Sequence, residues 1–325
     1  MSVVLALLIA GAVCGVLTPI VIVGLRKAGT FDLPNDRSSH TEVVPRGGGI
    51  AIAVSVFVAL LAVGSRDGTI IQLLLIALAL AALGLLDDRR GMSPITRLGI
   101  QFLAGVAVGL VVGHASDYSA ILLISSVIVM VYVVNSFNFM DGINGISSTH
   151  GALFALVLAV ELLHLGERDG VILAIALVGA ALAFLPYNFP KAQVFLGDVG
   201  SYFIGGALAA LAVYAVALGA SLILVVSVFG YYIVDTATTI AVRIRDRANI
   251  FEAHRDHVYQ LIVRSGRSHA LSVFVALGLS LLGFGSAISA SRFLSASTAL
   301  ALAFFLVLVA VTVIRYRMTK LLVQR

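Results

Sequence analysis

Charge is what this sequence has least of. Only 11% of its 325 residues are Asp, Glu, Lys or Arg, and 60% are hydrophobic, where a soluble domain carries roughly a quarter charged residues. That deficit excludes an ordinary water-soluble globule and places the chain in the membrane class. Cysteine is nearly absent too. Cys14 stands alone in an apolar run, which excludes a disulfide framework and a thiolate metal site. The alternating pattern of a transmembrane barrel is missing, and open strands cannot cross lipid because their backbone groups would lack partners. No HExxH motif occurs, so a zinc site has little support.

What remains is an all-α, polytopic membrane protein. Apolar runs near the roughly 20 residues needed to cross a bilayer fall at 2–24, 48–64, 70–86, 98–115, 119–137, 148–165, 170–186, 199–218, 220–241, 269–289 and 295–314. Eleven spans are expected, in one transmembrane domain covering 1–325. The short connectors within 48–64/70–86 and 199–218/220–241 predict tight helical hairpins. The first run lacks a basic segment before it and is longer than the core of a signal peptide, so it reads as a retained span. Arg26 and Lys27 follow it instead. With the N-terminus outside and the C-terminus inside, only Arg66, Arg168 and Arg292 of the 21 basic residues fall on outer segments. The positive-inside rule supports that orientation. It also accounts for the net charge of +5 without invoking nucleic acid.

The inner segments, 25–47, 87–97, 138–147, 187–198 and 242–268, collect nearly every residue capable of chemistry. The first carries Asp32, Asp36, Arg37 and His40, then Arg46 before Gly47-Gly48-Gly49. Three glycines let backbone approach a phosphate or another helix closely, and they also suit a plain linker into a helix. The second opens Asp87-Asp88-Arg89-Arg90. Adjacent carboxylates repel unless they share a cation or proton. The pair suits a general base or a site for a metal-bound substrate, or else a solvated helix end neutralised by Arg89 and Arg90.

At the third and just before it, Asn135, Asn138 and Asp141 recur every three residues and on a helix share one face, followed by Gly142, Asn144 and Gly145. Such a face suits a hard cation or a hydrogen-bonding ligand, or polar adhesion between helices. In the fourth, Asp198 lies between Gly197 and Val199-Gly200-Ser201. It reads equally as a helix cap and as a second hard-cation ligand opposite Asn138. The fifth and longest contains Arg243, Arg245, Arg247, Glu252, His254, Arg255, Asp256 and His257. His254 and His257 can share a helix face, and with Arg255 they suit a diphosphate or a sugar. The alternative is a solvated amphipathic stretch at the membrane surface. Asp235 lies inside the ninth run, where carboxylates are functional by default, or else faces the nearby inner loops. Gly105-x-x-x-Gly109 is a close-packing pattern.

Taken in order, Asp-Asp, Asn-x-x-Asn-x-x-Asp-Gly and Gly-Asp-x-Gly-Ser at successive inner segments resemble the polyprenyl-phosphate N-acetylhexosamine-1-phosphate transferases. These belong to glycosyltransferase family 4 and are related to phospho-MurNAc-pentapeptide translocase. The resemblance spans Asp32 to His257. It implies that Asn138 and Asp198 hold Mg²⁺ (or Mn²⁺), and that Asp87 and Asp88 are catalytic, beside the lipid phosphate. It further implies that Asn135, Asp141, Asn144, His254, Arg255, His257, Arg46 and Arg90 bind substrate. The family often carries Lys three positions after the second Asp of the pair; here that residue is Gly91, with Arg90 its cationic neighbour. Glu-Ala-His-Arg-Asp-His-Val-Tyr-Gln looks closer to the branch that initiates O-antigen units with deoxy-N-acetylhexosamines.

The expected reaction moves N-acetylhexosamine-1-phosphate from a UDP-sugar to undecaprenyl phosphate and releases UMP. It would initiate a cell-surface glycan at the cytoplasmic face of a bacterial inner membrane. The expected partners are the polyprenyl phosphate, the UDP-N-acetylhexosamine and the membrane, with a second copy of the chain as a further candidate. Two other classes fit part of the pattern. A secondary transporter would place polar groups near the bilayer midplane, often with an internal repeat. A lipid-phosphate phosphatase would use the same metal logic with water as acceptor.

Overall fold

The computed structural model describes residues 1–34, 42–116, 118–249 and 254–324. Asp36, Arg37, His40 and Glu252 lie outside the described residues. Among the described residues the regular structure is helical except for an antiparallel pairing of two two-residue strands, β1 (Phe31–Asp32) and β2 (Val44–Pro45), and an isolated bridge between Arg46 and Phe195. It comprises two compact units.

The first unit contains α1 (Ser2–Lys27), α2 (Gly49–Ala62), α3 (Gly68–Arg90), α4 (Pro94–Ala115), α5 (Ala120–Met140), α6 (Ile146–His164) through most of its length, α7 (Arg168–Asn188) and α8 (Gly197–Ala217). Helix α8 is its axis. It is buried along almost its whole length and packs on α3, α5, α2, α4 and α7. Small residues permit that density. A Cβ on Gly49 would lie 2.1 Å from the Gly200 Cα, and one on Gly84 would lie 2.2 Å from the Asp198 carbonyl oxygen. The expected Gly105/Gly109 pattern does bring helices together: a Cβ at Gly105 would sit 2.6 Å from the Val127 Cα, so α4 and α5 meet backbone to backbone.

The second unit contains α9 (Leu222–Val228), α10 (Gly230–Arg245), α11 (Val258–Arg264), α12 (His269–Ser291) and α13 (Ala296–Val323). Here α12 and α13 pack on one another, and both meet α9, α10 and α11.

Two of the expected spans differ. Among the described residues nine helices are long and apolar enough to cross a membrane, or ten if the bent pair α9/α10 is one span. The 220–241 run is not one straight helix. It breaks at Phe229 beside Gly230 and bends by 58°, because glycine relaxes the helical ladder. The 48–64 run yields only the 14 residues of α2, about 21 Å at 1.5 Å per residue. The hairpin expected between 48–64 and 70–86 is also loose. Helix α2 packs chiefly on α1, α7 and α8 and barely touches α3, since Gly48 and Gly49 direct it onto α7 and α8.

Candidate active site

In the first unit, helix α3 runs on past its apolar stretch to Arg90. Asp87 and Asp88 are therefore helical, and consecutive positions point to different sides. Among the described residues each pairs with a different arginine, Asp88 with Arg46 and Asp87 with Arg97, and not with the adjacent Arg89 and Arg90. The Asp88 carboxylate, its side chain 1% exposed, receives the Arg46 Nε at 2.7 Å. It also accepts the backbone N–H groups of Asp198 at 3.1 Å and Val199 at 3.2 Å. Asp88 thus stabilises the N-terminus of α8, where orphan amides and the helix dipole favour an anion. The capping role considered for Asp198 belongs instead to Asp88.

Asp198 faces the other way. Its Oδ1 accepts from Arg46 Nη2 at 2.8 Å and from Asn138 Nδ2 at 2.9 Å. Asn138 also donates to the Ser201 hydroxyl at 3.3 Å. Arg46 is held by backbone. Phe195 donates to the Pro45 carbonyl, and Gly47 and Gly48 donate to the Phe195 carbonyl, so Arg46 pairs alongside Phe195 as in a parallel bridge. Gly197, at φ +74°, is required here: a Cβ would meet Asp88 Oδ2 at 2.7 Å and Gly47 N at 2.9 Å. The nearby carboxylates of Asp198 and Asp88 raise the affinity of Arg46 for its proton despite its burial.

Asp87 belongs to a separate cluster. Its Oδ1 accepts the Met92 N–H at 2.7 Å, and its Oδ2 meets Tyr202 OH and Arg97 Nε, both at 3.1 Å. Arg97 also donates twice to the Met92 carbonyl. Arg90 is exposed at the end of α3, so Arg97 is the cation that pairs with this aspartate.

Asn135 takes different partners from Asn138. Asn135 donates to Gln101 Oε1 and to the Val131 carbonyl, tying α5 to α4. This is the polar adhesion between helices weighed from sequence. Asp141 has left the helix, with ψ +47° just beyond Met140. Its residue surface keeps intermediate exposure, yet packing around the carboxyl pushes its pKa up to about 8, with the Asp198 and Asp88 charges adding to the shift.

In the second unit, the Asn144 backbone donates to His269 Nδ1 at 3.2 Å. His254 and His257 do not share a helix face; both precede α11, and His257 caps it. Their rings still lie together, with centroids 5.2 Å apart. Burial, with His257 and Arg243 nearby, lowers the His254 pKa to about 4, so it is neutral at neutral pH. The Arg255 carbonyl accepts from Arg264 Nη1 at 3.0 Å. Asp256 pairs with Arg243 at 2.7 Å.

Three residues to which the sequence gives little weight, Arg97, Asp235 and Arg315, hold these polar clusters together. Asp235 is fully buried and contacts His257, the Val258 N–H and Arg315. Its intramembrane charge was the available signal. Nothing in sequence distinguished Arg97 or Arg315 from ordinary positive-inside residues.

Among the described residues no three His, Cys, Asp or Glu side chains form a metal-binding group. One carboxylate and one amide, Asp198 and Asn138, are the donor types that would suit Mg²⁺, with the Asn138 Nδ2 here turned to Asp198. That ion takes one or two carboxylates and completes its shell with water and substrate phosphate. Asp88 and Asp198 against Arg46 leave one net negative charge for a divalent ion.

A family model described as glycosyl transferase family 4 matches residues 70–216. The chain is 30% identical over 311 residues to a probable undecaprenyl-phosphate N-acetylglucosaminyl 1-phosphate transferase of Bacillus subtilis, covering 90% of this chain and 86% of the relative. It is 31% identical over 272 residues to an undecaprenyl-phosphate alpha-N-acetylglucosaminyl 1-phosphate transferase of Thermotoga maritima, covering 82% and 85%. A phospho-N-acetylmuramoyl-pentapeptide-transferase of Moorella thermoacetica is 30% identical over 234 residues, covering 64% and 74%.

Proposed function

This chain belongs to glycosyl transferase family 4, and from that premise we propose that it transfers N-acetylhexosamine-1-phosphate from a UDP-sugar to a polyprenyl phosphate. An oxygen of the lipid phosphate attacks the β-phosphorus. The bond from the β-phosphorus to the bridging oxygen breaks, and UMP departs with the electron pair. Transfer of this kind needs charge neutralisation and in-line placement more than covalent help from the protein. The observation that carries the reading is the Arg46–Asp88–Asp198–Asn138 cluster at the start of α8.

Mg²⁺ held by Asn138 and Asp198 would draw charge from the diphosphate and make the β-phosphorus more electrophilic. Arg46 keeps Asp88 and Asp198 close without mutual repulsion, and Asp88 fixes the α8 terminus that carries Asp198. Both oxygens of Asp87 and both of Asp88 are already hydrogen-bonded. That engagement supports direct attack by the lipid phosphate over a covalent phospho-aspartate. It makes Asp87 a residue that orients Arg97 toward an anionic group. His254, Arg255 and His257 are assigned to the sugar and diphosphate of the donor.

The names of the relatives make UDP-N-acetylglucosamine the first donor to test. The active face is assigned to the cytoplasmic side, because Arg26 and Lys27, Arg89 and Arg90, Arg243 and Arg245, and Lys320 close the helices α1, α3, α10 and α13. The deciding experiment is UMP release by purified protein supplied with undecaprenyl phosphate, Mg²⁺ and a panel of UDP-N-acetylhexosamines. UMP formation dependent on both lipid and metal is expected. Release of inorganic phosphate from the lipid alone would favour a phosphatase instead.

A further inference from the structure

Asp235 is a carboxylate with no solvent exposure, and it has gathered four polar contacts. Its Oδ2 meets His257 Nδ1 at 3.1 Å. Both oxygens accept the Val258 N–H, at 3.0 and 3.3 Å. Its Oδ1 accepts from Arg315 Nη2 at 3.1 Å. Arg315 comes from α13 and spreads its guanidinium over three acceptors, adding Thr239 Oγ1 and the Asp256 carbonyl, the latter at 2.7 Å. Arg243 holds the Asp256 carboxylate at 2.7 Å. The short segment from Asp256 to Val258 is therefore pinned at its carbonyl, its imidazole, an amide and a carboxylate. All these residues lie beyond position 216, where the family-model match ends.

A buried ion pair at this density adds little net stability, because desolvation offsets most of its attraction. It does fix geometry. An ionised carboxylate only accepts hydrogen bonds, so His257 must carry its proton on Nδ1. The tautomer is set, and the ring is held 5.2 Å from that of His254. A guanidinium is suited to this work because its planar fork bonds several acceptors at once, which an ammonium on a flexible stem cannot reproduce.

We propose that Asp235 and Arg315 are positioning residues for His254, Arg255 and His257. They act through those residues on the diphosphate of the sugar donor and touch no substrate themselves. The inference rests on the donor-binding role assigned above to the histidine segment. It makes α13 part of the donor site.

The test is the steady-state kinetics of Arg315→Lys, Asp235→Asn and His257→Ala, each measured against both substrates, together with thermal unfolding in detergent. Arg315→Lys keeps the charge and loses the fork. The expected result is a KM for the UDP-sugar raised about tenfold or more, with the KM for undecaprenyl phosphate and the unfolding temperature near wild type. Arg315→Lys combined with His257→Ala should lose less than the sum of the two single losses, because both act through the one segment that Arg315 holds at the Asp256 carbonyl. A purely structural role would instead lower the unfolding temperature, or change both substrates alike. Either of those outcomes, an additive loss in the double variant, or wild-type kinetics in Arg315→Lys would overturn the proposal. A wild-type protein that turns over no donor would overturn the transferase reading, and this proposal with it.

Discussion

Asp87 and Asp88 are consecutive in the chain, yet each is paired with its own arginine, Asp87 with Arg97 at 3.1 Å and Asp88 with Arg46 at 2.7 Å. The pair is two buried anions serving two clusters. Asp87 closes the turn at Met92 and holds Arg97, whereas Asp88 braces the helix that presents Asp198.

Removing one member of the first pair should cost more than removing both. Arg97→Ala leaves a carboxylate 3% exposed without its cation, and a loss of about 1–3 kcal/mol is expected for a half-exposed partner. Asp87→Asn combined with Arg97→Ala leaves no uncompensated charge and should recover part of that loss. Thermal unfolding in detergent of the two singles and the double checks this. A double variant as unstable as the sum of the singles would dissolve the pair.

Asp198→Ala should abolish turnover with folding and membrane insertion intact. Asn138→Ala should retain some turnover and raise the Mg²⁺ concentration needed for half-maximal rate, since one oxygen ligand is lost. Magnesium titrations of UMP release read both effects. Wild-type rates from Asp198→Ala at saturating metal would remove it from the ion.

Gly49→Ala should damage the fold far beyond the usual effect of one methyl group. Its Cβ would fall 2.1 Å from the Gly200 Cα and 2.5 Å from the Gly200 nitrogen, so backbone must move. A cost of about 1–3 kcal/mol or more follows from overpacking. Gly15→Ala, with nothing within 4 Å of the added carbon, is the matched control. Equal unfolding temperatures for the two variants would contradict the tight α2–α8 crossing.

Asp141 should give the protein a stability that declines with pH. Its pKa is raised by burial from 3.8 to about 8, so between those values the folded chain holds a proton that the unfolded chain has released. Its contribution is complete below about pH 4 and is lost as pH rises through about 8. Asp141→Asn keeps a neutral side chain throughout. Its unfolding temperature should fall less than that of the wild type between about pH 6 and pH 9, as read by scanning fluorimetry. Parallel pH profiles would assign the titration elsewhere.

Much of the site was visible in sequence because oxygen-bearing side chains stand out against an apolar background. Asn138 and Asp198, 60 positions apart, do meet at 2.9 Å, and Gly49 does permit close approach. What sequence did not show was partnership. Arg97 and Arg315 look like the other basic residues at span ends, and only tertiary packing selects Arg97 over Arg90 for Asp87. Asn135 shares a periodic pattern with Asn138, yet the packing of α4 turns it to Gln101. Hydropathy located the apolar runs but carries no information on axis direction. The bend at Phe229 is therefore invisible to it, and the i, i+3 spacing of His254 and His257 suggests a helix that begins only after them.

The Asp235–Arg315 bond also has a consequence for biosynthesis. The two residues are 80 positions apart, so at about 5–20 residues per second the carboxylate is made roughly 4–16 s before its counter-charge. During that interval Asp235 on the nascent α10 lacks the guanidinium that meets it in the folded chain. The Asp256 carbonyl likewise gains its Arg315 partner only after α13 has been made. The contacts that fix the histidine segment are thus completed late in translation, well after Asp88 and Asp198 have been made.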